Sequence, residues 1–352
     1  MGAVSGGPAG DWTTAPTPAD LRWIRVEEPS AASGCRSAAL AMAERLGFGE
    51  TRAEELAVAV TEAASNLVKH ASDGSLMLRA QPGGAVPDGA VRGIELVTMD
   101  AGPGIADIPA ALRDGTSTAG TLGIGLGAIR RAADSCAVFS RPGRGTILAA
   151  RFGARRGDPG TARWAGMIRP QGDETECGDN YIARAPGGPG GKITAMLCDG
   201  LGHGPLAATA SREAVAVLRE APEDEPAALL RRVHARLGHT RGGAVAIVAI
   251  DQHAVTFAGL GNVAGWIMSG PDRQGMISVP GIAGHQARTF RQYSYTRPPG
   301  AAIILHSDGL SSRWNAAGLP GLSGQDPLVI AAALLSEAGV HRDDAGILVL
   351  RP

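Results

Sequence analysis

The run Gly153-Ala154-Arg155-Arg156-Gly157-Asp158-Pro159-Gly160 sits near the middle of a 352-residue chain and holds no apolar residue larger than alanine. Glycine and proline break both helix and strand there, so no core element continues through it. A chain of this length is too long for one ordinary core and comfortable for two. The spacing of elements therefore predicts a leader over 1–20 that takes up no structure, a first domain over 21–152, a linker over 153–163 and a second domain over 164–352.

Composition excludes more than it selects. Lys+Arg 33 against Asp+Glu 34 leaves a formal net charge of -1, with no long-range field for gripping nucleic acid. No apolar run reaches the length of a membrane span, and the start Met1-Gly2-Ala3-Val4-Ser5 lacks the form of a secretory signal, so a cytoplasmic protein is expected. Cys35, Cys136, Cys177 and Cys198 show neither a C-x-x-C pair nor metal-ligand spacing, and read as reduced, mostly buried thiols.

In the first half, apolar periodicity predicts helices over Ala31 to Leu46 and Glu50 to Ala71, the second with Leu56, Val60, Ala63 and Leu67 as its stripe. Glu62, Asn66 and Lys69 then share one face. Strands are expected over Ser75 to Ala80 and Val91 to Met99, a polar flexible stretch over Gly102 to Thr121, a helix over Ile124 to Asp134, and a hairpin of Cys136 to Ser140 with Gly145 to Phe152. Asp100 stands at a strand exit. The cluster Gly123-Ile124-Gly125-Leu126-Gly127 opens a helix, where free amides and the positive dipole end favour phosphate. Taken alone it is equally a glycine-rich helix start with no ligand. The polar segment before it disfavours a dinucleotide fold, and Gly190-Gly191-Lys192-Ile193 is no P-loop.

In the second half, strands are expected over Ala165 to Arg169, Asn180 to Ala185, Ile193 to Cys198, Ala244 to Asp251, Val255 to Leu260, Ala301 to His306 and Gly346 to Leu350. Helices fit Pro205 to Arg219, Pro226 to Leu237 and Pro327 to Glu337. Runs of strands interrupted by helices argue for stacked sheets with helices outside. Asp179, Asp199, Asp308 and Asp343 fall at strand ends or turns. Hard cations prefer such oxygen ligands, and two of them sharing carboxylates can activate water against a phosphoester. Any single Asp-Gly is also a turn dipeptide, and a single His such as His203 is more often structural. The run Asp199-Gly200-Leu201-Gly202-His203-Gly204, between an apolar strand and a helix, is a more specific signature.

The order of these pieces carries a resemblance. Glu62-x-x-x-Asn66-x-x-Lys69-His70, Asp100-x-Gly102-x-Gly104, the Gly123 cluster and Gly145-Thr146 resemble the nucleotide-binding boxes of the GHKL ATP-binding superfamily, most closely the anti-sigma-factor serine kinases and stressosome switch kinases. The resemblance spans about Leu21 to Phe152. It implies that Asn66 holds Mg²⁺ of bound ATP, that Lys69 contacts a phosphate, and that Asp100 accepts from the adenine amine. It further implies that Gly102 and Gly104 leave room for the base, that Gly123, Gly125 and Gly127 wrap the phosphates, and that Thr146 supports adenine. Glu62 would act as the base that deprotonates a substrate serine or threonine.

From about Ala165 to Leu350, Gly178-Asp179, Asp199-Gly200-x-Gly-His-Gly, Gly259-x-Gly-Asn262, Ser307-Asp308-Gly309-Leu310 and Asp343-Asp344 resemble the type 2C metal-dependent phosphatases of the stage II sporulation and stressosome branch. This implies two Mn²⁺ or Mg²⁺, with Asp179 and Asp199 bridging, the Gly200 carbonyl also a ligand, Asp308 and Asp343 completing the second metal, and Asp344 behind them. His203 would protonate the leaving group or order water. The chain departs from the pattern at Asn180-Tyr181-Ile182-Ala183, which lacks a second acid, and at Ala345-Gly346, where a threonine is usual.

Together the resemblances imply an α/β (α+β) chain: a GHKL two-layer α/β sandwich, then a phosphatase α-β-β-α four-layer sandwich. They imply a bifunctional kinase and phosphatase acting on a phosphorylated STAS-type anti-sigma-factor antagonist or a stressosome-like protein. The alternative is a first domain that only senses ATP or captures a sigma factor or antagonist. Neither nucleic acid nor a membrane is an expected partner.

Overall fold

The computed structural model describes residues 10–81, 93–113, 125–155, 157, 162–186, 191–221 and 224–352. The first half runs β1 (Gly10–Thr14), β2 (Leu21–Arg25), α1 (Pro29–Arg45), α2 (Glu50–His70), β3 (Ser75–Gln81), β4 (Gly93–Met99), α3 (Ile108–Ala111), α4 (Gly125–Ala132), β5 (Ser135–Ser140) and β6 (Thr146–Gly153). The second half runs β7 (Trp164–Arg169), β8 (Asp179–Pro186), β9 (Ile193–Gly200), α5 (Gly204–Glu220), α6 (Pro226–Arg236), β10 (Gly243–Ile250), β11 (Ala254–Leu260), β12 (Ala264–Ser269), β13 (Asp272–Met276), β14 (Ser278–Val279), β15 (Tyr293–Thr296), β16 (Ala302–His306), α7 (Pro327–Ala338) and β17 (Ala345–Leu350).

Three sheets form. Order β2-β3-β4-β6-β5 makes the first, β13-β12-β16-β17-β7 the second, and β1-β8-β9-β10-β11-β14, with β15 also on β11, the third. Helices α1, α2 and α4 pack on one face of the first sheet, and α5 and α6 cover the third. The second and third sheets face each other through β17, β7, β8 and β9. The mixed α/β architecture expected for each half is what the chain adopts.

The leader departs from expectation. Gly10–Thr14 is not structureless but is an edge strand, antiparallel to β8 of the other half, with Trp12 opposite Arg184. The Arg184 guanidinium stacks over the Trp12 ring at 5.3 Å, and Trp164 Nε1 donates to Thr13 Oγ1 at 2.8 Å. Strand pairing of this kind needs only a matching edge, which periodicity in a Gly/Pro-rich leader does not reveal. Strands β2, β12, β13, β14 and β15 and the single turn α3 also went beyond the sequence reading; α3 falls inside the stretch expected to be flexible.

The halves share a core. Along β3, β4 and β6 the side chains alternate between faces. Leu76, Leu78, Ile94, Leu96, Leu148, Ala150 and Phe152 join the helices. Met77, Val97, Met99, Ile147 and Ala149 join a second cluster with α7 and the two other sheets. Helix α7 packs on β4, β5 and β6 on one side and on β7 and β17 on the other. It is buried from Pro327 through Leu335 and again at Ala338, as a helix apolar all round must be. Each of its Leu, Ile and Val side chains contributes about 1.5–3 kcal/mol through burial.

A charged seam crosses the same joint. Glu95 receives Arg79 Nε at 2.6 Å and Arg151 Nε at 2.9 Å. Arg151 also forks onto both oxygens of Asp326, the N-cap of α7, at 2.7 and 2.9 Å. Arg79 donates to the Gly166 carbonyl and, at 3.0 Å, to the Tyr181 hydroxyl. Burial alone would raise the Glu95 carboxyl, but the two guanidinium groups more than offset it and hold it below the usual range. Such a network adds little net stability compared with apolar packing, but it sets one register between the halves.

No helix among the described residues is long and apolar enough to cross a membrane. The four cysteines are free thiols, three buried and Cys136 half-buried.

Candidate active sites in two halves

The acid cluster is assembled by strand register. Asp179 opens β8 and Asp199 stands next to last in β9, and the antiparallel ladder sets them directly opposite each other. Asp308 follows β16, whose neighbour β17 is preceded by Asp343 and Asp344. Carboxylates from strand ends of two facing sheets thereby meet at one edge of the sandwich.

Each is held by a neighbour. Ser307 Oγ donates to Asp179 Oδ2 at 2.6 Å and accepts from Gly346 N at 2.9 Å. The Asn262 side-chain amide donates to Asp308 Oδ2. Asp344 is buried and receives Gly178 N and Gln171 N, each at 2.7 Å, which pins the start of β8. A Cβ at position 346 would lie 2.9 Å from the Asp179 side chain. Glycine at this position thus leaves the space that the Asp179 side chain fills.

The electrostatics are those of crowded acids. Burial, then Asp344, Asp308 and Asp343, push the Asp179 carboxyl up to about 8 against the opposing Ser307 hydrogen bond. Burial and Asp179 push Asp199 well above the carboxylate range. Asp308 is raised by burial and Asp343, with Asn262 working against them. Like charges brought together in a desolvated pocket destabilise each other's ionised form. Asp179 Oδ1 is buried with no hydrogen-bond partner.

That orphaned oxygen fits a cation. A carboxylate oxygen buried without a donor is costly, and a divalent ion relieves both the desolvation and the mutual repulsion. No group of three or more His, Cys, Asp or Glu side chains among the described residues is drawn together closely enough to hold a metal ion as it stands. The donor set is instead all oxygen and open, which suits Mg²⁺ or Mn²⁺, ions that keep several waters. Asp179, Asp199, Asp308 and Asp343 could hold them. Gly200 ends β9 beside Asp199, its amide bonded to the Gly178 carbonyl at 3.2 Å.

His203 is exposed and its Nδ1 lies 2.9 Å from Glu174 Oε1. The pairing brings in an acid the sequence reading passed over; nothing in the one-dimensional pattern distinguishes Glu174 from any loop carboxylate. Ser307 and Asn262 stand within motifs of the sequence, but their task of orienting Asp179 and Asp308 emerges only from the contacts.

The nucleotide-type site is looser. Glu62 and Asn66 are half-buried, one turn apart on α2, and Lys69 is exposed near its end. Asp100 follows β4, accepts Gly102 N at 2.7 Å, and donates its own amide to Thr146 O at 3.1 Å. Burial raises its carboxyl, with the Gly102 and Thr146 backbone bonds opposing. Ser140 Oγ lies 2.9 Å from Thr146 Oγ1 and accepts Ile105 N at 2.7 Å, tying the hairpin to the Asp100 loop.

Two glycines have a different reason than expected. A Cβ at Gly102 would meet the His70 carbonyl at 2.6 Å, and one at Gly104, with φ +71, the Arg141 carbonyl at 2.1 Å. Protein backbone, not vacant room for a base, fills those places. Gly125 and Gly127 lie in the first turn of α4. Gly123 lies outside the described residues.

Residues 26–152 match the histidine kinase-like ATPase domain family, and residues 189–351 match the stage II sporulation protein E (SpoIIE) family. The serine/threonine-protein kinase RsbT of Bacillus subtilis (strain 168) is 34% identical over 109 residues, covering 31% of this chain and 78% of that protein. The phosphoserine phosphatase RsbX of the same organism is 24% identical over 139 residues, covering 38% of this chain and 68% of that protein. Among solved structures, RsbX in complex with magnesium aligns at 19% identity with a TM-score of 0.47, over 53% of this chain and 94% of that one. A chain from a study of the bacterial stressosome aligns at 24% identity and a TM-score of 0.49, over 54% and 98%. The chain thus belongs, through its N-terminal half, to the histidine kinase-like ATPases related to RsbT, joined to a C-terminal domain of the SpoIIE family related to RsbX.

Proposed function

We propose that this chain is a bifunctional partner-switching regulator of the cytoplasm: its C-terminal half removes phosphate from a serine or threonine of a STAS-type antagonist or stressosome-like protein, and its N-terminal half adds phosphate from ATP. The observation that carries the phosphatase reading is the buried Asp179–Asp199 pair with its orphaned oxygen. Bound there, two Mn²⁺ or Mg²⁺ would supply an activated water and a sink for phosphate charge. Asp179 and Asp199 would hold them, the Gly200 carbonyl would be a further ligand, and Asp308 and Asp343 would complete the second. Ser307 and Asn262 keep two of those carboxylates oriented, as partners behind metal ligands do. His203, paired with Glu174, would give a proton to the leaving oxygen or order water.

On the kinase side, Asn66 would hold Mg²⁺ of ATP and Lys69 a phosphate. Asp100 with Thr146 would hold adenine, and Gly123, Gly125 and Gly127 would wrap the phosphates. Glu62, one turn before Asn66, would take the proton of the substrate hydroxyl.

One observation favours a second reading, in which the N-terminal half senses ATP or captures a sigma factor or antagonist without transfer. Arg141 and Arg144, in the turn beside Asp100, reach Glu337 of α7 at 3.1 and 3.5 Å. The end of α7 is in turn bonded to the Asp308 turn through Ser311 N to Ala338 O at 2.8 Å and Val340 N to Gly309 O at 2.7 Å. Nucleotide occupancy thereby has a physical route to the acid cluster.

The test of the phosphatase reading is Mn²⁺-dependent phosphate release from a phosphorylated antagonist. Asp199→Asn is expected to abolish it, by at least about a thousandfold, since an amide cannot supply the shared negative oxygen. Turnover within a few-fold of the unaltered protein would sink the assignment.

A further inference from the structure

Beside the acid cluster stands a cation that nothing above employs. Arg241, in the turn before β10, lays its guanidinium over the Asp199–Gly204 turn: a Cβ on Gly202 would lie 3.0 Å from Arg241 Nη1. Gly202 has φ +90, so backbone and space both call for glycine there. The placement is anchored by the main chain, since Leu201 N donates to Gly242 O at 3.0 Å and Gly243 stands opposite Gly200 in the β9–β10 ladder. Arg241 is exposed, and it has no hydrogen-bond or ion-pair partner among the described residues. Other charges flanking this turn are spoken for: His203 faces Glu174 at 2.9 Å, and Arg212 faces Glu176 at 2.7 Å.

The same turn exposes apolar side chains. Leu201 is 49% and Leu206 58% exposed, two of the few large hydrophobic residues that the described structure leaves to solvent. They flank His203, within a segment continuous with Asp199. Scattered surface leucines need no explanation, but two within seven residues of Asp199, on either side of His203, offer a contact surface. A small phosphate ester has nothing to place against them.

We propose that Arg241 receives the phosphate of the substrate, and that Leu201 and Leu206 receive an apolar side chain next to the phosphorylated residue. The occupant is a phosphoserine- or phosphothreonine-bearing polypeptide segment with a hydrophobic neighbour. Its phosphate complements the uncommitted guanidinium, whose planar fork suits phosphate oxygens, and its neighbour covers the leucines. A cation at this position also offsets the repulsion between an incoming phosphate dianion and the clustered carboxylates. The inference rests on the phosphatase reading and adds to it a phosphate-binding residue and a preference for an apolar neighbour of the phosphorylated residue.

The experiment uses the full chain with Mn²⁺ and two synthetic phosphoserine peptides, one with leucine beside the phosphoserine and one with serine there. The unaltered protein should favour the leucine peptide about tenfold in kcat/KM, and Leu206→Ser should reduce that preference to less than about threefold. Arg241→Gln should raise KM for both peptides about tenfold, with a smaller change in kcat, and should weaken inhibition by inorganic phosphate to a similar degree. Arg241→Lys should restore part of the loss. Both side chains are exposed, and matched thermal melting would show that the variants fold. Equal use of the two peptides, or an Arg241→Gln variant whose KM and phosphate inhibition stay within twofold, overturns the inference while leaving the phosphatase reading intact. Hydrolysis of neither peptide by protein that still releases phosphate from a phosphorylated antagonist overturns the inference alone, and release from none of the three substrates overturns both.

Discussion

The two candidate sites of this chain are built from different materials. The acid cluster draws its carboxylates from strand ends of two facing sheets, and Ser307, Asn262 and the amides of Gly178 and Gln171 clamp three of them in place. The nucleotide-type site hangs Glu62, Asn66 and Lys69 on one helix face and closes through the Asp100 loop and the start of α4. Register-built sites are rigid because moving one ligand means breaking a ladder. Between them lies α7, packed on sheets of both halves, so the two sites belong to a single packed body.

That last relation is the part with the largest expected effect. Leu334→Ala removes a fully buried side chain of α7, and the loss is expected to be about 2–5 kcal/mol. Because the cluster around α7 includes residues of both halves, calorimetry should show one transition moving to lower temperature. Two separate transitions, with only one of them shifted, would break the single-body account. Next in size is the clamp on Asp179. Ser307→Ala is expected to raise the Mn²⁺ concentration for half-maximal phosphate release about 10–100-fold, the usual range for a group that orients a metal ligand. An unchanged metal requirement would mean that the register alone positions Asp179, and would sharpen the contrast with the nucleotide-type site further.

Legibility in the sequence follows the same division. The strands and helices of both halves were visible where apolar periodicity was strong, as in α2, β9 and β10. The four aspartates stood out through their order and their Gly neighbours, because strand-end turns impose local composition. Contacts across the chain left no such trace. Strand β1 pairs with β8 through backbone groups, so the leader's Gly/Pro content concealed it. Glu174 meets His203, and Asn262 meets Asp308, across 29 and 46 positions. One signal was present and unused. The run Pro327-Leu328-Val329-Ile330-Ala331-Ala332-Ala333-Leu334-Leu335 is apolar on every face, which requires burial on every side and so predicts a partner beyond the phosphatase sheets. Likewise, β4 carries Ile94 and Leu96 on one face and Val97 and Met99 on the other, the pattern of a sheet covered twice. The glycines of the Asp100 loop were read for a ligand, whereas Gly102 and Gly104 answer first to the carbonyls of His70 and Arg141.

The central claim is that one chain both adds and removes phosphate on a partner-switching protein. The most direct measurement incubates the Asp199→Asn protein, in which dephosphorylation is silenced, with radiolabelled ATP, Mg²⁺ and a purified STAS-type antagonist. The account predicts label on a serine or threonine of the antagonist, and none when Glu62→Ala is added while ATP binding persists. An antagonist that stays unlabelled while the protein binds ATP would contradict it, and would leave an ATP-sensing domain docked on a phosphatase.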